Sequence, residues 1–325
     1  MGSTSGAVGT GAVTVNSGAV LDLYGYTISN ALSLAGQKTG STTIGALTDS
    51  SGGGTASGTI TLTADTAFGG AGNFTASGVI SGAFSVTKVG AGQTTFSGTN
   101  TYSGTTTING GILSITKDLA LGALGSLNAS AITLNGGALQ GAATFTLESN
   151  RGITLTTNSG LAATGSYVMT YGGIVTGAFN LTINGTGQTG TVALSGSNTY
   201  TGTTTVSGGV LSISADNNLG TISGLNTAAI TLSGGGALRV TADVTLVSNR
   251  GITLGASGGG LQAASTKTLT YGGVITGGYD LTINGSSQTG TVVLSGTNTY
   301  TGITTISGGI LSIGSESNLG ATPSY

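Results

Sequence analysis

The side chains of this chain that could do acid–base, metal or nucleophilic chemistry are few and scattered. It has no histidine and no cysteine, which removes the commonest general base, thiolate nucleophiles and metal sites, and any disulfide framework. Nine carboxylates remain, Asp22, Asp49, Asp65, Asp118, Glu148, Asp216, Asp243, Asp280 and Glu316, against seven Lys plus Arg. Carboxylates that cleave a glycosidic bond must lie within about 10 Å of each other. Asp118, Asp216 and Glu316 recur 98 and 100 residues apart, too regularly spread for that, and read as solvated turn residues. Arg151 and Arg250 recur within Ser-Asn-Arg-Gly-Ile-Thr-Leu near Glu148 or Asp243, which suggests a local ion pair or a corner hydrogen bond. No catalytic, cofactor or metal site is expected. Calcium-binding nonapeptides need an aspartate in every repeat, and the glycine-rich turns here are followed by no lysine or helix start that would cradle phosphate. A formal charge of −2, with only 5% of residues ionisable, leaves no basic patch for nucleic acid. No run of 18 apolar residues exists, so direct membrane insertion by this segment is not expected.

The remaining candidates belong to a repeat. Residues 195–213, SGSNTYTGTTTVSGGVLSI, return as SGTNTYSGTTTINGGILSI at 97–115 and SGTNTYTGITTISGGILSI at 295–313. Asn100, Asn198 and Asn298 read as corner residues, because asparagine makes side-chain turns and tolerates left-handed backbone. Tyr102, Tyr200 and Tyr300 read as packing over that corner; a sugar-stacking row is the weaker alternative, since one repeat separates each from the next. Thr105 and Thr107, with Thr203 and Thr205, should face outward if Ile108 and Val206 face inward. That Thr-x-Thr pattern resembles ice-binding β-helices and makes an outward threonine surface for ice or polysaccharide the alternative binding reading. Ile303 breaks it in the third copy.

The elements that must position these residues are short strands. Aliphatics sit two apart with threonine between, as in Ile132-Thr133-Leu134 and Ile230-Thr231-Leu232, the pattern of a half-buried strand. Sixty-four glycines and one proline supply tight turns. Asn-Gly turns could close hairpins, but strands of three to five residues suit a parallel stack, in which each turn is a corner and each strand pairs one coil away. The expectation is therefore an all-β chain, a parallel β-helix (β-solenoid) of roughly 13 coils with about 4.8 Å per coil. A coil of roughly 25 residues makes each repeat about four coils. The chain reads as one elongated solenoid of three tandem units, approximately 3–121, 122–219 and 220–320, with one extra coil inserted near 40–66. Counting in phase from Ser3, it starts almost where it stops, like whole units cut from a longer array. Head-to-tail self-association is expected unless Pro323–Tyr325 fold back as a cap.

Residues 181–213, LTINGTGQTGTVALSGSNTYTGTTTVSGGVLSI, resemble the passenger-associated β-strand repeat of bacterial autotransporters, as do the runs from Val86 and from Leu281 to Ile313. The resemblance implies a right-handed β-helix passenger outside the cell or on the bacterial surface, exported through an outer-membrane β-barrel that this chain lacks. It implies a non-enzymatic stalk, adhesin or self-associating scaffold. Its partners would be neighbouring repeats of the same protein and glycan or host-surface contacts.

Overall fold

A computed structural model of the chain describes residues 9–185 and 187–321; Ser3 and Pro323–Tyr325, on which the phase and cap expectations rest, lie outside them. The chain forms two compact units, Met1–Ser159 and Gly160–Tyr325. Both are β-solenoids, with about 13 turns between them. Among the described residues the strand ladders are parallel, and the antiparallel pairing is an isolated bridge, Gln37 to Gly45. Hairpins are therefore not how the glycine turns are used. Turn residues close corners, and each strand finds its partner one coil later.

In the first unit, Val86–Lys88, Thr106–Ile108, Asn128–Leu134 and Arg151–Leu155 stack in that order. On the next side Gly54–Ala56, Phe74–Ala76, Gln93–Phe96, Ile112–Ile115 and Ala138–Gly141 do the same. Alternation decides what is inside: Val86, Ile108, Ile132, Leu134 and Ile153 are fully buried, and Phe68 meets Phe96 edge to face at 5.3 Å. Coil length varies. Leu32 lies 19 residues after its partner Val13, whereas Ile60 lies 28 after Leu32. The longer coil contains the turn closed by the Gln37–Gly45 bridge.

The second unit has three sides. One stacks Leu181–Ile183, Thr204–Val206, Asn226–Leu232, Arg250–Leu254 and Ile275–Gly277. The next stacks Thr191–Leu194, Val210–Ile213, Gly236–Val240, Gly259–Ala263, Leu281–Ile283 and Thr304–Ile306. The third stacks Val244–Leu246, Thr268–Tyr271, Thr291–Leu294 and Ile310–Ile313. Corresponding strands of successive repeats thus fall on different sides: Thr204–Val206 is on the first, and Thr304–Ile306 is on the second. The strand positions in the second unit refine the reading of a repeat as about four coils. From Thr204 the first side passes Ile230, Ile252 and Ile275, the Ile275 carbonyl accepts the Thr299 amide in the coil after, and Thr304 follows one side further on. A repeat is four coils and one more side. Because coil length is not constant, the period in residues hides that fraction.

Candidate functional site

The Asn-Thr-Tyr segment occupies a part of the coil where no strand forms, and its asparagine carries the ladder across the gap. Asn198 Oδ1 accepts the Val175 amide from the coil before at 2.8 Å, while Nδ2 donates to the Asn218 carbonyl of the coil after at 2.6 Å. Asn298 repeats this with the Ile275 amide and the Asn318 carbonyl, and Asn100 with the Ile80 amide and the Ala120 carbonyl. All three are buried. The carboxamide reaches between coils instead of closing a local turn. One donor and one acceptor on the same side chain satisfy buried backbone groups that would otherwise go unpaired.

Tyr102, Tyr200 and Tyr300 are fully buried, so none offers a ring face to a sugar. Each hydroxyl bonds the threonine four residues on: Thr106 at 2.8 Å, Thr204 at 2.7 Å and Thr304 at 2.6 Å. Burial pushes the Tyr200 hydroxyl up to about 12 and raises Tyr102 as well, with the threonine bond opposing it. The core-facing threonine between the two outward ones went unread in the sequence; its signal is the i+4 spacing from an invariant tyrosine in all three copies.

Thr105, Thr107, Thr203 and Thr205 are half-buried. Thr107 stands in a file Thr87, Thr107, Thr133, Thr154, and Thr205 in a file Thr182, Thr205, Thr231, Thr253, Thr276. Thr105 and Thr203 begin no second file: their amides are taken by Ser85 Oγ and Asn180 Oδ1 of the coil before. The corresponding position one repeat on, where Ile303 replaces the first threonine and Thr305 keeps the second, aligns with Thr282 on another side. The surface is a single rank of threonines, held by β-branched cross-strand packing, and not a two-rank plane.

Arg151 grips Asp118 with Nε to Oδ1 at 2.8 Å and Nη2 to Oδ2 at 3.0 Å, and also donates to the Leu121 and Gly122 carbonyls. Arg250 does the same with Asp216, Leu219 and Gly220. The Arg151 amide makes a corner hydrogen bond to the Glu148 carbonyl at 3.1 Å, while each guanidinium forms its ion pair with an aspartate of an earlier coil. Winding brings an aspartate from 33 or 34 residues earlier to the arginine, and a planar fork matches a carboxylate better than a single contact does. Asp118 and Asp216 are correspondingly not solvated turn residues, with side chains only 13% and 21% exposed. A cavity of about 250 Å³ beside Thr201, Ser223, Leu225 and Asn226 reaches Arg250, whose guanidinium is already committed to this clamp. Among the described residues no three His, Cys, Asp or Glu come together as a metal site, and no helix is long and apolar enough to cross a membrane.

Three stretches, residues 86–115, 188–213 and 287–313, match the Passenger-associated-transport-repeat family. This chain carries autotransporter passenger repeats. Each match spans the asparagine bridge, its tyrosine and the strands on either side. The Adhesin BmaC autotransporter of Brucella suis biovar 1 (strain 1330) is 35% identical over 254 residues, which is 73% of this chain and 7% of that protein. The passenger repeats here therefore span a small fraction of the length of that relative. No solved structure matches the chain.

Proposed function

We propose that this chain is a surface-exposed passenger segment whose work is structural: three tandem units that extend an autotransporter adhesin away from the outer membrane and hold its adhesive parts in place. The observation that carries this reading is the asparagine bridge with its buried tyrosine, repeated at Asn100, Asn198 and Asn298. These polar groups point into the stack and hold neighbouring coils together, which is the chemistry of a scaffold and not of a catalyst. The adhesin name of the Brucella relative and the passenger repeats support a place outside the cell. Partners on the outside would be glycans or host-surface proteins.

The test is display of the chain on a Gram-negative cell through an outer-membrane barrel. The expected outcome is surface protease resistance that Asn198→Leu abolishes, with no sugar released from pectin-like or other acidic polysaccharides by the purified chain. Reproducible release of reducing ends would replace the scaffold reading with an enzymatic one.

A further inference from the structure

The inserted stretch of the first unit reaches beyond its own coil. From the turn closed by the Gln37–Gly45 bridge, the Gly45 amide donates to the Gly69 carbonyl of the next coil at 2.8 Å. Thr43 carries on to the coil after that, its carbonyl 2.6 Å from where a Cβ on Gly90 would stand. The turn is braced from within: Gln37 Nε2 donates to the Ser41 carbonyl at 2.6 Å, and the Thr43 and Ile44 amides both donate to Ser41 Oγ at 3.2 Å. Beside this overhang lies an open cavity of about 460 Å³, within the size range of small-ligand sites. Thr42 and Thr43 line it from the overhang, and Gly90, Gly110, Asn109 and Asn135 from the stacked corners; none of its lining side chains is charged.

The two asparagines lie one coil apart, and Asn135 Nδ2 donates to Asn109 Oδ1 at 3.1 Å. Among the described residues no protein group takes the Asn109 side-chain N–H groups or the Asn135 side-chain oxygen, so a donor and an acceptor remain side by side at the cavity. At the corresponding corners of the second unit these positions are Ser207 and Ser233, and the inserted stretch has no counterpart. Two features that the repeat does not require therefore converge on one cavity. Beneath it, buried Lys88 holds the Gly90 and Gly110 carbonyls from inside, which fixes the floor and keeps the ammonium away from any ligand. We propose that this cavity binds a neutral hexose unit, with the Asn109 amide donating to one hydroxyl and the Asn135 oxygen accepting from its neighbour. Vicinal hydroxyls each donate and accept, which matches such a pair. Glycine in the floor lets a ring lie close to the backbone, and a sugar carboxylate would lose its water with no cation in the lining to replace it. The proposal rests on the reading of glycans as outside partners and names where one would sit.

Saturation-transfer NMR on the purified full chain tests it, with lactose, maltose, cellobiose and diacetylchitobiose as neutral probes and glucuronate as the charged one. At least one neutral sugar should show transfer, with a Kd on the order of millimolar, and glucuronate should bind more weakly. Asn109→Ser combined with Asn135→Ser, which installs the residues of the second unit, should weaken binding about tenfold without shifting thermal unfolding, because corners carrying serine already fold in this chain. Ala91→Trp, at an exposed position of the lining, should abolish binding by filling the space. Absence of transfer to all four neutral sugars overturns the proposal, as does transfer that both variants leave unchanged, or tighter binding of glucuronate than of every neutral probe. The scaffold reading survives each of those results, since its own readout is protease resistance at the cell surface.

Discussion

The corner after Val86–Lys88 and the corners after Leu181–Ile183 and Leu281–Ile283 face the same problem and solve it differently. In each, a carbonyl of the glycine turn in the next coil points into the stack: Gly110, Gly208 or Gly308. In the second unit a neutral amide answers it. Asn184 Nδ2 donates to Gly190 and Gly208 and Oδ1 accepts the Ala163 amide; Asn284 does likewise with Gly290, Gly308 and Ala263. In the first unit a buried ammonium does it, with Lys88 Nζ donating to Val89, Gly90 and Gly110 at 2.8, 2.9 and 3.1 Å. The backbone follows the choice. Asn184 and Asn284 take left-handed φ of 52°, which asparagine tolerates. A β-branched valine at the corresponding position does not, so in the first unit the left-handed residue is Gly90, at φ 71°. The lesson is that the repeat specifies where a carbonyl must be met, and leaves open whether a charged or a neutral group meets it.

Four substitutions sharpen or break this comparison. Asn184→Leu should cost the most, about 4 kcal/mol, because it leaves an amide and two carbonyls buried without partners; urea unfolding measures it, and a loss under about 1 kcal/mol would show that the amide is not the tie. Gly90→Ala should cost about 3 kcal/mol, because its Cβ would collide with the Gly70 carbonyl oxygen and sit 2.6 Å from the Thr43 carbonyl, at a left-handed φ. Lys88→Met should cost only about 1 kcal/mol, since losing three donors is offset by no longer burying a charge. Gly185→Ala, at the glycine matching Gly90, meets nothing within 4 Å and should change stability by less than about 0.5 kcal/mol.

Lys88 also gives the first unit a pH signature that the asparagine corners lack. Burial lowers its ammonium from 10.5 to about 8, so between those values the unfolded chain keeps a proton the folded chain has lost, and stability rises with pH. Buried Tyr102, Tyr200 and Tyr271 act in the opposite sense. Their hydroxyls are raised by burial from 10.0, Tyr200 to about 12, so above pH 10 the unfolded chain loses protons the folded chain keeps, and stability falls. Thermal unfolding followed from pH 7 to 11 should therefore show a maximum near pH 10 in the parent chain. In Lys88→Met the curve should be level up to that point and then fall. A rise that survives the substitution would place the signature elsewhere.

Parallel stacking was legible because period-2 alternation, glycine turns and a repeat of near-constant length all demand it. The inward aliphatics, such as Ile132 and Leu134, followed from the same alternation. Partners across coils were not legible. Sequence proximity pointed Arg151 at Glu148, whose carbonyl does accept its amide, but a closed coil also brings a carboxylate from 33 positions away to the guanidinium. The asparagines drew attention by recurrence, yet their inter-coil role depends on a missing strand, which no local pattern announces. Lys88 lies in the run from Val86, yet nothing local marks it as inward, because a lysine on a strand usually reaches solvent.

The extra side in each repeat turns copy number into an angle. Along the second unit, moving one repeat forward moves every corresponding strand to the neighbouring side, so with three sides the original bearing returns only after three repeats. Gain or loss of a single repeat by recombination would therefore do more than lengthen or shorten such an array. It would swing whatever lies beyond it by about a third of a revolution.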